Sequence, residues 1–471
     1  MFGAFRHRLI RGCAGLLLLA AGAGTGEAAE RKVLRVGTSG DYAPFSMSIA
    51  PAGAGEDAGA GGIRYAGFDI DVARRFAGDH GYTLELVPFR WPQLSADLLA
   101  GRFDVAMSGV TVRADRSVIG AFTVPVVVSH AVALAWKGAG IDDVNDLNRR
   151  SRRVAVNAGG YLEGVARRTF LLATIVPMPD NQAVHMALMD RWTDAVVTDS
   201  FEERAWTATA RDVVRIGPLS QDRKAYLVRA DRQDLAAQLD AWLLARERDG
   251  TLARMRADKL GPGDHAAAAE PLAALVSAVA ERMSLMPLVW AAKREARRPV
   301  EDKAQEARVL EASVAAAAEA ARARRQEPPD AGDVRRLFKA LIEAGKDVQQ
   351  RLADEDRQRR QARAARESAD GTVGGGAPSS AEPLSSRLTG LLAFQTESVP
   401  LHDLDTELRP ALSRLTSRIA TIIAALEKPA TVEAVQARLI DALAEHRISA
   451  ARLETIAEAV ANVAASNASR R

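Results

Sequence analysis

The chain has 471 residues, 48% of them hydrophobic and only 5% aromatic, with 63 Lys and Arg against 60 Asp and Glu. This length suits two or three domains, and a formal charge of +3 is too small to argue for nucleic-acid binding, though it is compatible with small anionic ligands. A single cysteine, Cys13, excludes a disulfide framework.

Residues 1–29 read as an export signal. "MFGAFRHRLIRG" is basic, "CAGLLLLAAGAG" is short and apolar, and "GEAAE" supplies small residues for cleavage near Ala29. The apolar stretch is too short to span a membrane, and Cys13 precedes it, which argues against lipid attachment. The expected mature protein is periplasmic, free of cysteine and not membrane-bound.

Residues 31–261 alternate strand and helix signals. "KVLRVGTSG" predicts a strand entering a Gly turn, and "GFDIDVARRFAGDHG" predicts an amphipathic helix from near Asp69 to Gly81. "YTLELVPF", "WPQLSADLLAGR" and "FDVAMSGVTV" then predict strand, helix and strand. This rhythm implies a mostly parallel sheet covered by helices. "FTVPVVVSHAVALAWK" reads as strand after strand. "RRVAVNAGGYLEGVARRTF" restarts a strand, turn and helix, so a second lobe is expected there. The chain is expected to return to the first lobe after "AYLVRADRQ" and to close it with helices up to Gly261.

The grammar changes at a linker, 262–269. From 270 to 471 the sequence is dominated by Ala, Leu, Arg and Glu in helical patterns, interrupted at 367–386 by a Gly-, Ser- and Pro-rich stretch expected to be a flexible insertion. The fold class expected is a two-lobed α/β body, like a type II periplasmic binding protein, followed by an all-α domain. In open α/β sheets ligands bind at the carboxyl ends of the strands, here between the lobes.

"LRVGTSGDYAPFS", "GFDIDVARRFA", "LLAGRFDVAMSGVTVRADR", "VAVNAGG" and "DGTLARM" together resemble the polar amino-acid type of solute-binding protein. Within that group "GDYAPF", "RWPQLSADLLAGRFDVAMSGV", "VNAGG" and "TDSFEERAW" resemble the exported cyclohexadienyl dehydratases, which turn prephenate or arogenate into phenylpyruvate or phenylalanine. The resemblance implies that Glu202 is a general acid, kept protonated by apolar neighbours such as Phe201, while Glu203 is a solvated neighbour. It implies that Arg116 forks onto a substrate carboxylate, with Ser108 and Thr111 as hydroxyl donors. Asn157, Gly159 and Gly160 open the second lobe, where N–H groups at a helix start hold the other carboxylate. Tyr161 stands where related sequences often have Thr or Ser. Asp199 matches a position that holds a ligand amine in amino-acid binders, leaving arogenate open as a substrate. Tyr42, Trp91 and Lys224 are further candidates to line the site.

In the helical half Arg282 and Lys293 are eleven residues apart, about three turns, so they share a face if the helix continues, kinked, through Pro287. "VAERMSLMPLVWAAKREARRPVEDKAQEARVL", "FKALIEAGKDVQQR" and "ELRPAL" resemble the secreted, all-helical class of chorismate mutase. The resemblance implies that Arg282 and Arg409 grip carboxylates, that Lys293 approaches the ether oxygen, and that Gln349 and Lys346 complete the site. Where such sequences usually have Arg and then Gln, this chain has Gln305 and Arg308, an exchange that either compensates or impairs the site. The pair of resemblances implies a bifunctional enzyme taking chorismate to prephenate and then to phenylpyruvate, without cofactor or metal; oligomerisation would run through the helical domain. The alternative is a non-catalytic amino-acid-type binding protein with a helical interaction module.

Overall fold

The computed structural model describes residues 32–49, 64–210, 212–261, 268–370 and 402–470. The expected export signal, most of the linker 262–269 and positions 371–386 of the expected insertion lie outside the described residues, while positions 367–370 continue the helix Ala331–Asp370.

Each lobe is built on a five-stranded sheet. The first has the order Thr83–Pro88, Val33–Thr38, Val105–Ala106, Leu227–Arg229, Gly120–Phe122; the second Thr174–Met178, Arg153–Asn157, Ala195–Asp199, Ala131–Trp136, Val213–Ile216. Both sheets are mixed rather than mostly parallel. Val33–Thr38 runs parallel to its two neighbours, but Leu227–Arg229 pairs antiparallel on both sides, because the chain re-enters the first lobe from the second in the opposite sense. A two-stranded ribbon, Asp222–Lys224 against Val127–Ser129, joins the lobes and pairs Lys224 with Val127.

The helix predicted near Asp69 spans Phe68–His80 and ends on Gly81, whose φ of 69° suits the left-handed C-terminal turn. The strand predicted over "FDVAMSGVTV" is limited to Val105–Ala106 and an isolated bridge from Thr111 to Lys224. Gly109 (φ 63°) turns the backbone there and gives its N–H to the buried carboxylate of Asp69 at 2.5 Å. The segment therefore leaves the sheet and runs along the cleft.

The helical domain comprises Pro271–Ser284, Met286–Glu295, Lys303–Ala323, Ala331–Asp370, Arg409–Ala425, Val432–Leu443 and Ala450–Ser469 among the described residues. The run through Pro287 divides at Leu285, since a proline removes one backbone donor and crowds the preceding turn. Pro271–Glu295 is long and apolar enough to cross a membrane, but its apolar window is 83% buried, as a core helix would be. One apolar cluster runs from the first lobe (Val36, Phe76, Leu239, Trp242) into the helical domain (Leu275, Phe338, Ile419, Ile423). The second lobe packs around two clusters of its own, one on each face of its sheet.

Gly67 enters the helix Phe68–His80 with φ 134°, and an added Cβ would stand 2.3 Å from the Phe45 carbonyl oxygen. Gly67→Ala is expected to lower stability by about 2–3 kcal/mol in urea denaturation. Gly78→Ala, in the same helix with open space around the new methyl, is expected to leave it unchanged or raise it by about 0.5–1 kcal/mol.

Candidate active sites

Between the lobes a small cavity of about 50 Å³ is lined by Tyr42, Trp91, Gly109, Thr111, Arg116, Asn157, Gly160, Tyr161, Leu162, Asn181, Glu202 and Lys224. The strand Ala195–Asp199 ends at its edge, and Asp199 caps the following helix Ser200–Thr209, accepting from the N–H groups of Phe201 (2.8 Å) and Glu202 (3.1 Å). That cap places Glu202 in the first helical turn, 6% exposed, where Thr198 Oγ1 donates to its Oε2 at 2.6 Å. Burial, reinforced by the negative charge of Asp199, raises the Glu202 carboxyl well above its ordinary range against the opposing pull of Thr198 and Lys224. Phe201 packs edge-on against Phe45 at 5.1 Å, which supplies the apolar surroundings. Glu203 is not solvated: it is ion-paired with Arg215 at 2.9 Å.

Asp199 is fully buried, and its second oxygen lies 3.3 Å from Lys224 Nζ. Lys224 also donates to Thr111 Oγ1 at 3.0 Å and sits 5.2 Å from the centre of the Tyr42 ring. Arg116 is 4% exposed and has no carboxylate within ion-pair distance among the described residues; its Nη1 donates to the Thr111 carbonyl at 3.3 Å. Burial, with Arg113 beside it, pushes its pKa down to about 9, still well above neutrality. Asn157 donates to Asn181 Oδ1 at 2.6 Å, and its own buried Oδ1 has no partner. Trp91 lines the cleft and gives its indole N–H to Asp41 at 3.1 Å.

Three expected residues fall outside the lining: Asp199, fully buried at the helix cap, Ser108 and Gly159. Ser108 is fully buried and binds the Oγ and N–H of Ser39 (2.8 and 3.1 Å), because the turn at Gly109 directs the chain past the cavity before Thr111 reaches it. Gly159 gives its N–H to Glu163 at 2.7 Å, leaving Gly160 as the backbone group at the helix start. The Tyr161 hydroxyl is raised above its ordinary range by burial and by the nearby charge of Asp222 on the interlobe connection.

The helical domain encloses a larger cavity of about 280 Å³, and all seven residues expected there line it: Arg282, Lys293, Gln305, Arg308, Lys346, Gln349 and Arg409. Arg282 is 6% exposed, its Nε and Nη1 have no hydrogen-bond partner among the described residues, and burial pushes its pKa down to about 10. Lys293 Nζ donates to the Val300 carbonyl at 2.5 Å, and burial lowers its pKa. Gln349 bonds Gly345 O at 3.2 Å through Nε2, with Oε1 unpartnered. Arg409 is held by Asp302 (2.8 Å) and Asp405 (2.5 Å), and Lys346 by Glu343 (2.8 Å) and Glu306 (3.5 Å). Arg308 donates to Gln305 Oε1 at 3.1 and 2.7 Å, so the exchanged pair forms one hydrogen-bonded unit beside the cavity.

Residues 34–261 match the bacterial extracellular solute-binding proteins, family 3. Cyclohexadienyl dehydratase of Pseudomonas aeruginosa is 31% identical over 259 residues, 53% of this chain and 92% of that protein. The chain belongs to solute-binding protein family 3. Residues 273–350 match chorismate mutase type II. The L-cystine-binding protein TcyJ of Escherichia coli K12 is 25% identical over 227 residues, 47% of this chain and 80% of that protein. The crystal structure of AncCDT-1, an ancestral amino acid-binding protein described as a precursor of cyclohexadienyl dehydratase, is 29% identical and covers 48% of this chain and 95% of its own, with a TM-score of 0.43.

Within this family-3 body, Asn181 and Leu162 line the cleft although the sequence reading did not single them out. Asn181 had a usable signal: Asp180 before it caps the helix Asn181–Met189. In the helical domain Glu306 was passed over, although it follows Asp302 by one helical turn on the same face.

The raised carboxyl of Glu202 gives a stability prediction. A carboxyl whose folded pKa lies above its unfolded one contributes fully below the ordinary glutamate value near 4.5, and that contribution is lost as pH rises to the folded pKa. Glu202→Gln is therefore expected to raise Tm relative to the parent more at pH 8 than at pH 4, measured by thermal denaturation across that range.

Proposed function

We propose that this chain is a bifunctional enzyme of phenylalanine biosynthesis, converting chorismate to prephenate in the helical domain and prephenate to phenylpyruvate in the interlobe cleft. The observation that carries the reading is Glu202, a carboxyl buried in the cleft and raised toward its neutral form beside two cations, Arg116 and Lys224. A receptor for an anionic ligand gains nothing from an acid there, whereas a dehydratase needs one. Protonation of the substrate hydroxyl by Glu202 lets water leave. The carboxylate on the ring departs as CO₂, and the electron pair of its carbon–carbon bond completes the aromatic ring. Arg116 takes one substrate carboxylate; the helix start at Gly160 and the Asn157 side chain are suited to the other end.

Chorismate rearrangement breaks an ether C–O bond as a C–C bond forms, with no covalent intermediate, so it needs orientation and stabilisation of charge on the ether oxygen. Arg282, Arg409 and Arg308 suit the carboxylates, while Lys293 and a turned Gln349 amide suit the ether oxygen. The Gln305–Arg308 hydrogen bonds favour compensation over decay. The family's extracellular character and the expected export signal support a periplasmic location.

Asp199 also informs the choice between substrates. It lies behind the cleft lining, with one oxygen in the helix cap and the other facing Lys224 Nζ at 3.3 Å, so it is poorly placed to receive the amine of arogenate. Prephenate is expected to be preferred over arogenate by at least ~10-fold in kcat/KM.

Purified protein given chorismate or prephenate separately tests both halves. Glu202→Gln is expected to lower prephenate turnover by at least ~100-fold and leave chorismate turnover near that of the parent. Arg282→Ala is expected to lower chorismate turnover by at least ~100-fold. Prephenate that binds and is never converted would make the protein a receptor.

A further inference from the structure

The short helix Ala114–Ile119 carries Arg116 to the cleft, and its far end is held by the helical domain. Arg414 Nη2 donates to the carbonyls of Ser117 (3.1 Å) and Val118 (2.8 Å), which satisfies acceptors at the end of a helix only six residues long and places a positive charge at its negative pole. Ser117 Oγ, on the residue after Arg116, lies 2.8 Å from Glu281 Oε1 as its donor. Glu281 is itself ion-paired with Arg418, whose Nη1 donates to the Phe122 carbonyl at 2.6 Å on the adjoining strand. Glu281 and Arg418 are 6% and 7% exposed, so this contact is part of the interior.

We infer that Arg414 is a positioning residue for the dehydratase, acting through Arg116 from the other domain. Among the described residues Arg116 has no acidic partner at ion-pair distance and is held only by the long hydrogen bond to the Thr111 carbonyl (3.3 Å), so the direction of its guanidinium depends on the placement of a six-residue helix too short to hold itself. The mutase domain supplies that hold. This rests on the proposed dehydratase reading of the cleft. Arg414 lies outside the mutase cavity, although its neighbours Leu412, Ser413 and Thr416 line it. Its removal therefore acts on one activity and not on the other.

Steady-state kinetics of Arg414→Ala, with both substrates assayed on the same sample, tests the inference. KM for prephenate is expected to rise about tenfold with kcat within about twofold of the parent, since a misplaced carboxylate anchor weakens binding before chemistry. Chorismate turnover is expected to hold, which also controls for folding, and added guanidinium ion is expected to restore part of the lost affinity. An unchanged prephenate KM would overturn the inference. So would a parallel fall of both activities without guanidinium rescue, since that describes a merely structural contact. Failure of the parent itself to dehydrate prephenate would instead remove the underlying reading, so the two failures are told apart by the parent's own assay.

Discussion

Two guanidinium groups, those of Arg116 and Arg282, are buried in this protein without a carboxylate at ion-pair distance among the described residues. Burying a charge without its partner is unfavourable, and a fold retains such a group only where its surroundings prevent relaxation. Here the nearby acids are matched elsewhere. Asp115, one residue from Arg116, pairs with Arg113 at 2.9 Å; Glu281, one residue from Arg282, pairs with Arg418. Each cavity is thereby left with a positive charge that has no carboxylate partner among the described residues. Under the proposed function a dicarboxylate would supply the missing negative charge in either cavity.

The cleft adds a second constraint: under the proposed dehydratase reading Glu202 must stay protonated beside cations that favour its ionised form. Asp199 makes this feasible. It draws Lys224 to itself, and its own negative charge opposes ionisation of Glu202. One carboxyl faces the lysine while burial shifts its neighbour three residues on toward the neutral form, a difference set by which of the two caps the helix and meets the cation. The mutase cavity shows the reverse arrangement: its lining acids Asp302 and Glu306, with Asp405 and Glu343 beyond the lining, hold Arg409 and Lys346 in place, while Arg282 and Lys293 have no acid at ion-pair distance among the described residues.

Much of this was legible in the sequence, and the limits have physical causes. Helix Phe68–His80 and the Ala-rich helices of the second half follow from periodicity and caps, which are local properties. The mixed sheets were missed because strand direction depends on where the chain re-enters a lobe, a non-local fact. The positions of Glu202 and of the seven helical-domain residues at their cavities follow from ordered motifs. Ser108 was misplaced because one left-handed glycine, Gly109, turns the chain between it and Thr111. Glu281, Arg414 and Arg418 gave no signal at all: charged residues on a helix look solvated until another domain covers them.

The apolar cluster shared by the first lobe and the helical domain has a thermodynamic consequence. Residues such as Trp242 and Ile419 belong to one continuous interior, so loosening either part exposes surface of the other, and the two are expected to melt as a single cooperative unit. The second lobe owns separate interiors built on Ala133, Val156 and Phe170 on one sheet face and Leu134, Ala155 and Leu188 on the other. Apart from Phe201, which joins the shared cluster, it is therefore expected to open at lower free energy than the remainder. Amide hydrogen exchange would therefore divide this chain along a line that its two chemistries do not follow, with the mutase and half of the dehydratase on one side and a single lobe on the other.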